Sequence, residues 1–595
     1  MWPLIGLMLM GAVAEVLSLA AIVPFLALLT DPVRAMNQPL VAGVVFTLGL
    51  TASADIKWQL TVVFAITAVF AGVIRFSLIY AIAKFNFGMG HELGAEVYRR
   101  TLYQSYELHV ARNSSEILGG IQKVDIVVWL VFRLLNAVSA CLMAACIVAT
   151  LLLLNPFLAM SALFGFGAVY VAVSLFTRKQ LAINSRAINV AHNKRVQEVQ
   201  EGLGGIRDVL LDHAQPVFAR RFNKIDWPFR QAEASNNIIE PSPRFAVESL
   251  GMVVFAIMGY YMASGSGGVL SAIPMLGALA LGAQRLMPLL QQMYQGWAYV
   301  AGNRDVLSDV VGLLEQPVGD EANSMISGLH LEREIRLDNV SFRYQSQMPF
   351  VLQAVNLTIP KGSRIGFVGS TGSGKSTVMD LLMGLLNPTE GQIHIDDTRL
   401  DAGMRLAWQR SVGHVPQSIF LADASFAENI AFGVDPAQID FGKVRDAARR
   451  AQIDSFIESG PDGYQALVGE RGVRLSGGQR QRLGIARALY KDVEVLVFDE
   501  ATSALDSETE AAVMEAIDGL GEDLTILMIA HRVSTLRNCS RIIEMSGGHI
   551  TRTGSYESIV ASQAGEADRR KLSKREPART EVSSDEPIIS MPIRE

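Results

Sequence analysis

Cysteine is almost missing from this chain. Three residues in 595, Cys141, Cys146 and Cys539, stand at no spacing that a zinc site or disulfide framework uses. Charge is scarce too: 18% of residues are charged against 50% hydrophobic, and a mean hydropathy of +0.28 is too high for a soluble two-domain protein. The net charge of −6 hides a basic first half and a more acidic second half, so it carries no nucleic-acid signal. No basic segment precedes the first apolar run, and that run is too long for the h-region of a cleaved signal peptide.

What is abundant is apolar sequence in the first half. Runs long enough to cross a bilayer extend over about Pro3 to Leu29, Gln59 to Phe87, Val127 to Leu154, Pro156 to Phe176, Phe245 to Ala263 and Gly268 to Leu290. Between the second and third lie Arg99, Arg100, Arg112 and Lys123, and ten more Lys and Arg, Arg178 to Arg230, lie between the fourth and fifth. The short connections between the third and fourth runs and between the fifth and sixth carry none. Basic loops stay in the cytoplasm, which places the second half there as well.

That second half carries a phosphate-binding pattern. Gly369-Ser370-Thr371-Gly372-Ser373-Gly374-Lys375-Ser376 follows an apolar strand candidate, Ile365 to Val368, and precedes a helical pattern running on through Thr377. Backbone N–H groups of such a loop converge on one anion at a helix N-terminus. Lys375 adds a point charge for β- and γ-phosphates, and Ser376 a hydroxyl for Mg²⁺. Downstream, the apolar run Val493 to Phe498 ends in Asp499-Glu500, one carboxylate for Mg²⁺ and the next to polarise an attacking water. His531 closes the run Leu524 to Ala530, where an imidazole reaches a γ-phosphate, and Gln417, just past Val412 to Val415, is placed for the metal or the water.

With the sequence Leu475-Ser476-Gly477-Gly478-Gln479 added, residues 331–560 resemble the nucleotide-binding domain of the ABC transporter superfamily. The resemblance implies that Ser476, Gly477, Gly478 and Gln479 meet ATP bound by a second copy, and that Tyr344 stacks on adenine. It also implies that Asp506, in Ser503-Ala-Leu-Asp506, belongs to the loop joining the two ATP sites. Glu500, His531 and the signature are intact, which argues for two active sites in a homodimer. The expected fold is a membrane α-helical exporter-type domain of six transmembrane helices with cytoplasmic extensions, fused to an α/β P-loop ABC domain. Exporters of this kind end their extensions in short coupling helices, expected here around Asn113 to Leu118 and Asp212 to Val217. They also carry a charged elbow helix before the first span, which this sequence does not show: either the start is assigned too late or the terminus is abbreviated. The domain boundaries expected are 1–310 for the membrane part, 311–330 for a linker, 331–560 for the ATP-binding part and 561–595 for a disordered tail.

Cargo is read from charges inside the apolar runs. Glu15, Arg75, Arg244, Glu248 and Arg285 lie there, and such residues cost on the order of 3 kcal/mol each to insert, so they face cavities or pair with one another. Glu248 with Arg244, one helical turn apart, is an obvious internal pair. Arginine outnumbers acid in this set, and guanidinium binds phosphate bidentately. Glu15 to Phe25, Pro243-Arg244 with Glu248, and Arg285-Leu-Met-Pro288 are similar to PglK-type flippases of lipid-linked oligosaccharides. This implies a cavity where Arg75, Arg244 and Arg285, with Glu15 nearby, hold the pyrophosphate of a polyprenyl-diphosphate sugar in the bacterial inner membrane. Export of another amphiphile, such as lipid A, a peptide or a drug, remains the alternative. ATP and Mg²⁺ are the expected cofactors, and the expected partners are a second copy, the lipid-linked substrate and membrane lipid, with no nucleic acid.

Overall fold

The computed structural model describes residues 2–30, 56–154, 156–263, 268–316, 328–501, 506–521, 523–530 and 532–561. His531, Ser503 to Leu505, most of the expected linker and the expected tail from residue 562 on lie outside the described residues. By its internal contacts the chain divides into Met1–Gln104 with Leu108–Val318, and Ser105–Glu107 with Gly319–Glu595.

Every element among the described residues of the first unit is a helix. Its helices are α1 (Trp2–Thr30), α2 (Ile56–Leu102), α3 (Tyr106–Ala111), α4 (Ser114–Leu154), α5 (Pro156–Gly204), α6 (Ile206–Leu211), α7 (Gln215–Ile239), α8 (Ser242–Ala263), α9 (Gly268–Gly302) and α10 (Arg304–Leu314). Among the described residues, Thr61–Leu102 and Ser114–Thr150 are each long and apolar enough to cross a membrane, and Trp2–Ser18 is a shorter apolar helix. Helices α2 and α5 outrun their apolar stretches by several turns, because the polar sequence beyond each keeps good helix formers and contains no proline.

Helices α1, α2, α4 and α9 share one core of Leu4, Met8, Ala12, Leu78, Ile82, Ala140, Met143, Ile147, Leu286 and Leu289. Ala14, Ala71 and Ile74 extend the α1–α2 seam, small side chains letting the backbones approach as membrane helices do. The far side of α2 shows the opposite pattern. Phe70, Val73, Phe76, Ile79 and Tyr80 are all exposed, an apolar strip that water would penalise and lipid would not. The short helices α3 and α6 begin ahead of the segments expected to form coupling helices, which instead fall largely at the start of α4 and across the α6–α7 junction.

The second unit is α/β. One antiparallel sheet has the order β2-β1-β4-β5, from β1 (Glu334–Phe342), β2 (Leu352–Pro360), β4 (Glu390–Ile395) and β5 (Thr398–Arg399). The other has the order β10-β9-β3-β8-β7-β6, with β3 (Arg364–Gly369), β6 (Val412–Val415), β7 (Val495–Asp499), β8 (Thr525–Ile529), β9 (Arg541–Ser546) and β10 (His549–Gly554). Strands β9, β3, β8, β7 and β6 run parallel. Strands β7 and β8 are buried nearly throughout, as their uninterrupted apolar runs require of a sheet covered on both faces. Side by side at the carboxyl edge of this sheet stand the ends of β3, β8 and β7, where an open parallel sheet offers its crevice to ligands.

Candidate functional site

The loop from Gly369 to Gly374 leaves β3 and turns into the helix Lys375–Leu382. Gly374 takes φ +100° at the N-cap, and a Cβ there would lie 2.5 Å from Leu352 Cδ2, so only glycine fits. Lys375 is buried, and its Nζ donates to Gly369 O at 2.9 Å and Ser370 O at 3.0 Å. Burial pulls its pKa down, while Glu500 and Asp499 act in the opposite sense. Ser373 Oγ is buried with no hydrogen-bond partner among the described residues. A cationic ammonium and an unsatisfied hydroxyl in a loop opening a helix fit an anionic phosphate chain.

Asp499 ends β7. Burial raises its pKa first and Glu500 next, with Lys375 opposing. A carboxylate destabilised in this way gains from a divalent cation, which fits Mg²⁺. Glu500 sits at φ +49°, an uncommon region for a side-chain-bearing residue, and its backbone N–H donates to Ile529 O at 3.1 Å. That turn sends its carboxylate off the strand end, where Gln417 Nε2 donates to Glu500 Oε2 at 3.0 Å. Two residues 83 positions apart thus meet at the crevice.

Tyr344 is 44% exposed, packs edge-on against Phe342 at 4.9 Å, and its hydroxyl lies 3.4 Å from Thr377 Oγ1. An open aromatic face beside the P-loop suits a stacked base. The signature is built as a helix start: Ser476 accepts from Gln479 N, and Gln479 Oε1 accepts from Ser476 N at 2.8 Å, a capping box on Gly477–Leu489. Its serine hydroxyl and the first-turn N–H groups form another anion-friendly terminus. Asp506 caps Ser507–Asp518, accepting from Thr509 N at 2.9 Å and from Thr509 Oγ1 at 2.8 Å.

Sequence reasoning missed three features. Thr509 crowds Gly478 so closely that a Cβ on the glycine would lie 2.0 Å from Thr509 Cγ2. Asp380, in the P-loop helix, is half-buried, and burial together with Asp499 pushes its pKa up to about 6. Arg487 donates to Phe420 O at 2.7 Å, to Asn429 O at 2.8 Å and to Asn429 Oδ1 at 3.1 Å, tying the segment after Gln417 to the signature helix. A lone acid inside an apolar helical run was the available signal for Asp380, whereas Arg487, on a helix that also carries Arg480 and Arg482, offered none.

In the helical unit, Glu15 on α1 is buried and accepts from Arg285 Nη1 of α9 at 2.9 Å, and it pairs with Arg75 of α2. Arg244 of α8 pairs instead with Glu248 at 2.7 Å, the turn-to-turn couple expected from spacing. The sequence therefore names four charged residues for one cavity, and the structure brings three of them into a single cluster.

The ABC transporter family profile matches residues 352–503. An ATP-dependent lipid A-core flippase of Ralstonia nicotianae is 31% identical over 66% of this chain and 67% of its own length. One of the same description from Cupriavidus metallidurans is 29% identical over 84% and 85%. Among solved structures, a bacterial Atm1-family ABC exporter with ATP bound superposes with a TM-score of 0.74 at 24% identity, covering 96% of this chain and 99% of the other.

Proposed function

The chain belongs to the ABC transporter family, and from that premise we propose that it is a flippase, moving an amphipathic lipid with a phosphorylated head group across the cytoplasmic membrane. Its fold is that of an ABC exporter, a helical transmembrane domain fused to an ATP-binding domain that couples hydrolysis to transport. The observation that carries the cargo reading is the meeting of Arg75 and Arg285 on Glu15. Two guanidiniums on one carboxylate leave positive charge and spare N–H donors among apolar helices, and phosphate oxygens complement both.

In this reading α1, α2, α4, α5, α8 and α9 are the six spans, and two copies pair as a homodimer. Gly369 to Thr377 and Lys375 hold the phosphates, with Tyr344 on the adenine. Ser476, Gly477, Gly478 and Gln479 of a second copy close over the γ-phosphate, and Asp506 steadies the helix behind that contact. Mg²⁺ held by Ser376, Asp499 and Gln417 would offset charge developing on the transferred phosphoryl group. Glu500 takes a proton from the attacking water, Gln417 holds the glutamate in position, and His531 supports the γ-phosphate. Closure of the sandwich drives the spans to the outward state, and hydrolysis resets them.

The finer cargo assignment, a polyprenyl-diphosphate-linked oligosaccharide, rests on the similarity of Glu15 to Phe25, Pro243-Arg244 and Arg285 to Pro288 to PglK-type flippases. The second reading is lipid A-core, favoured by the names of the relatives. ATP hydrolysis by the purified protein in liposomes separates them. Stimulation by the polyprenyl-diphosphate lipid and not by lipid A supports the first, and the converse supports the second. Stimulation only by cationic drugs removes both.

A further inference from the structure

Glu15 is not arranged as a competitor for the two arginines. It is the deepest member of the cluster: its side chain is 6% exposed, against 37% for Arg75 and 32% for Arg285. Each carboxylate oxygen serves one guanidinium, Oε2 facing Arg75 and Oε1 facing Arg285. Three helices far apart in sequence, α1, α2 and α9, are joined at this point. Two guanidiniums brought together without an anion repel one another and splay toward solvent or lipid headgroups. A carboxylate behind them removes that repulsion and fixes their spacing, while both cations stay more exposed than the carboxylate that joins them.

The donors are not exhausted by this arrangement. Two guanidiniums carry ten N–H groups, and two carboxylate oxygens accept roughly four. Arg75 Nε, buried, has no acceptor among the described residues. The cluster is one acceptor group short and carries a net positive charge, a combination that one further anionic oxyacid group satisfies.

We propose that Glu15 is the positioning residue that converts Arg75 and Arg285 into one seat for a single phosphoryl group, and that Arg244, paired with Glu248, stands outside that seat. The proposal rests on the phosphorylated-lipid reading above and assigns its recognition to one cluster. It makes a prediction opposite in sign to simple charge counting. Removing a negative charge near a cationic site ordinarily tightens anion binding, whereas losing this carboxylate disperses the seat.

The test is lipid-stimulated ATP hydrolysis by the full-length protein in phosphatidylcholine nanodiscs. The probes are a polyprenyl diphosphate, lipid A and an uncharged polyprenol, titrated against wild type, Glu15→Gln, Glu15→Asp, Arg75→Gln, Arg285→Gln and Arg244→Gln. For whichever phosphorylated lipid stimulates wild type, half-maximal concentration rises about tenfold or more in Glu15→Gln, Arg75→Gln and Arg285→Gln. It recovers in part in Glu15→Asp and stays near wild type in Arg244→Gln. Glu15→Gln placed on Arg75→Gln adds little further loss, since the seat is already broken, whereas a general folding defect would add in full. Tighter or unchanged binding in Glu15→Gln overturns the positioning role while leaving the flippase reading standing. A wild type that no phosphorylated lipid stimulates overturns both.

Discussion

The side-chain amide of Gln417 donates to the Glu500 carboxylate at 3.0 Å, joining the loop after β6 to the end of β7. The amide also orients the carboxylate it touches, so movement of the loop carrying Gln417 would shift the proposed base. Glu500→Gln removes the proposed proton acceptor while keeping the shape. Turnover should fall on the order of 10²- to 10⁴-fold with ATP still bound, checked by phosphate release and by retained nucleotide after gel filtration. Wild-type turnover in that variant would show that another group is the base.

Gly478 has no room for a side chain. Gly478→Ala forces its methyl against Thr509 Cγ2 and should destabilise the ATP-binding unit by roughly 1–3 kcal/mol, as overpacking does. Thr509→Ser in the same chain deletes that methyl and keeps the hydroxyl that Asp506 accepts from. Thermal midpoints of the single and double variants check this: the double should recover most of the loss, and no recovery would mean the strain lies elsewhere.

Arg487 bridges carbonyls of Phe420 and Asn429 from within the signature helix, with its guanidinium also stacked 4.6 Å from the Phe432 ring. Arg487→Ala leaves those acceptors without a donor and should cost roughly 2–4 kcal/mol. Denaturant unfolding followed by tryptophan fluorescence measures it, and a change below about 0.5 kcal/mol, the size of an ordinary surface substitution, would mean water replaces the arginine freely.

Asp380 gives a pH dependence of definite sign. Its carboxyl is held neutral up to about 6 by burial and by Asp499. The unfolded chain loses that proton near pH 4, so the stabilising share is complete below that range and disappears as pH rises through about 6. Asp380→Asn should flatten the thermal midpoint between those two values, leaving a smaller slope of the same sign from Asp499, also raised by burial. An unchanged slope in the variant would place the titration on other groups.

How far the sequence foretold this depends on range. Strands β3, β6, β7 and β8 were legible because each is a short apolar run, and each appears within two residues of its expected bounds. Arg244 with Glu248 was legible because a helix fixes the i,i+4 distance. Helices α3 and α6 were not foreseen as separate elements: six residues give no periodicity long enough to set a helix in the sequence. The direct contact of Glu15 with Arg285, 270 positions away, was not legible beyond the shared cavity that the resemblance to PglK-type flippases implied, since tertiary packing alone brings α1 against α9. Thr509 was invisible for the same reason; nothing in Ser507-Glu-Thr509 says that a glycine lies against it.

The most direct test of the account is translocation itself. Purified protein in sealed liposomes, given ATP on the outside, should move a fluorescent phosphate-bearing polyprenyl lipid away from the leaflet next to the ATP-binding domains, seen as protection from an impermeant quencher. The same protein carrying Glu500→Gln should leave the label accessible. Protection that develops equally without ATP, or in the Glu500→Gln protein, would contradict an ATP-driven flippase.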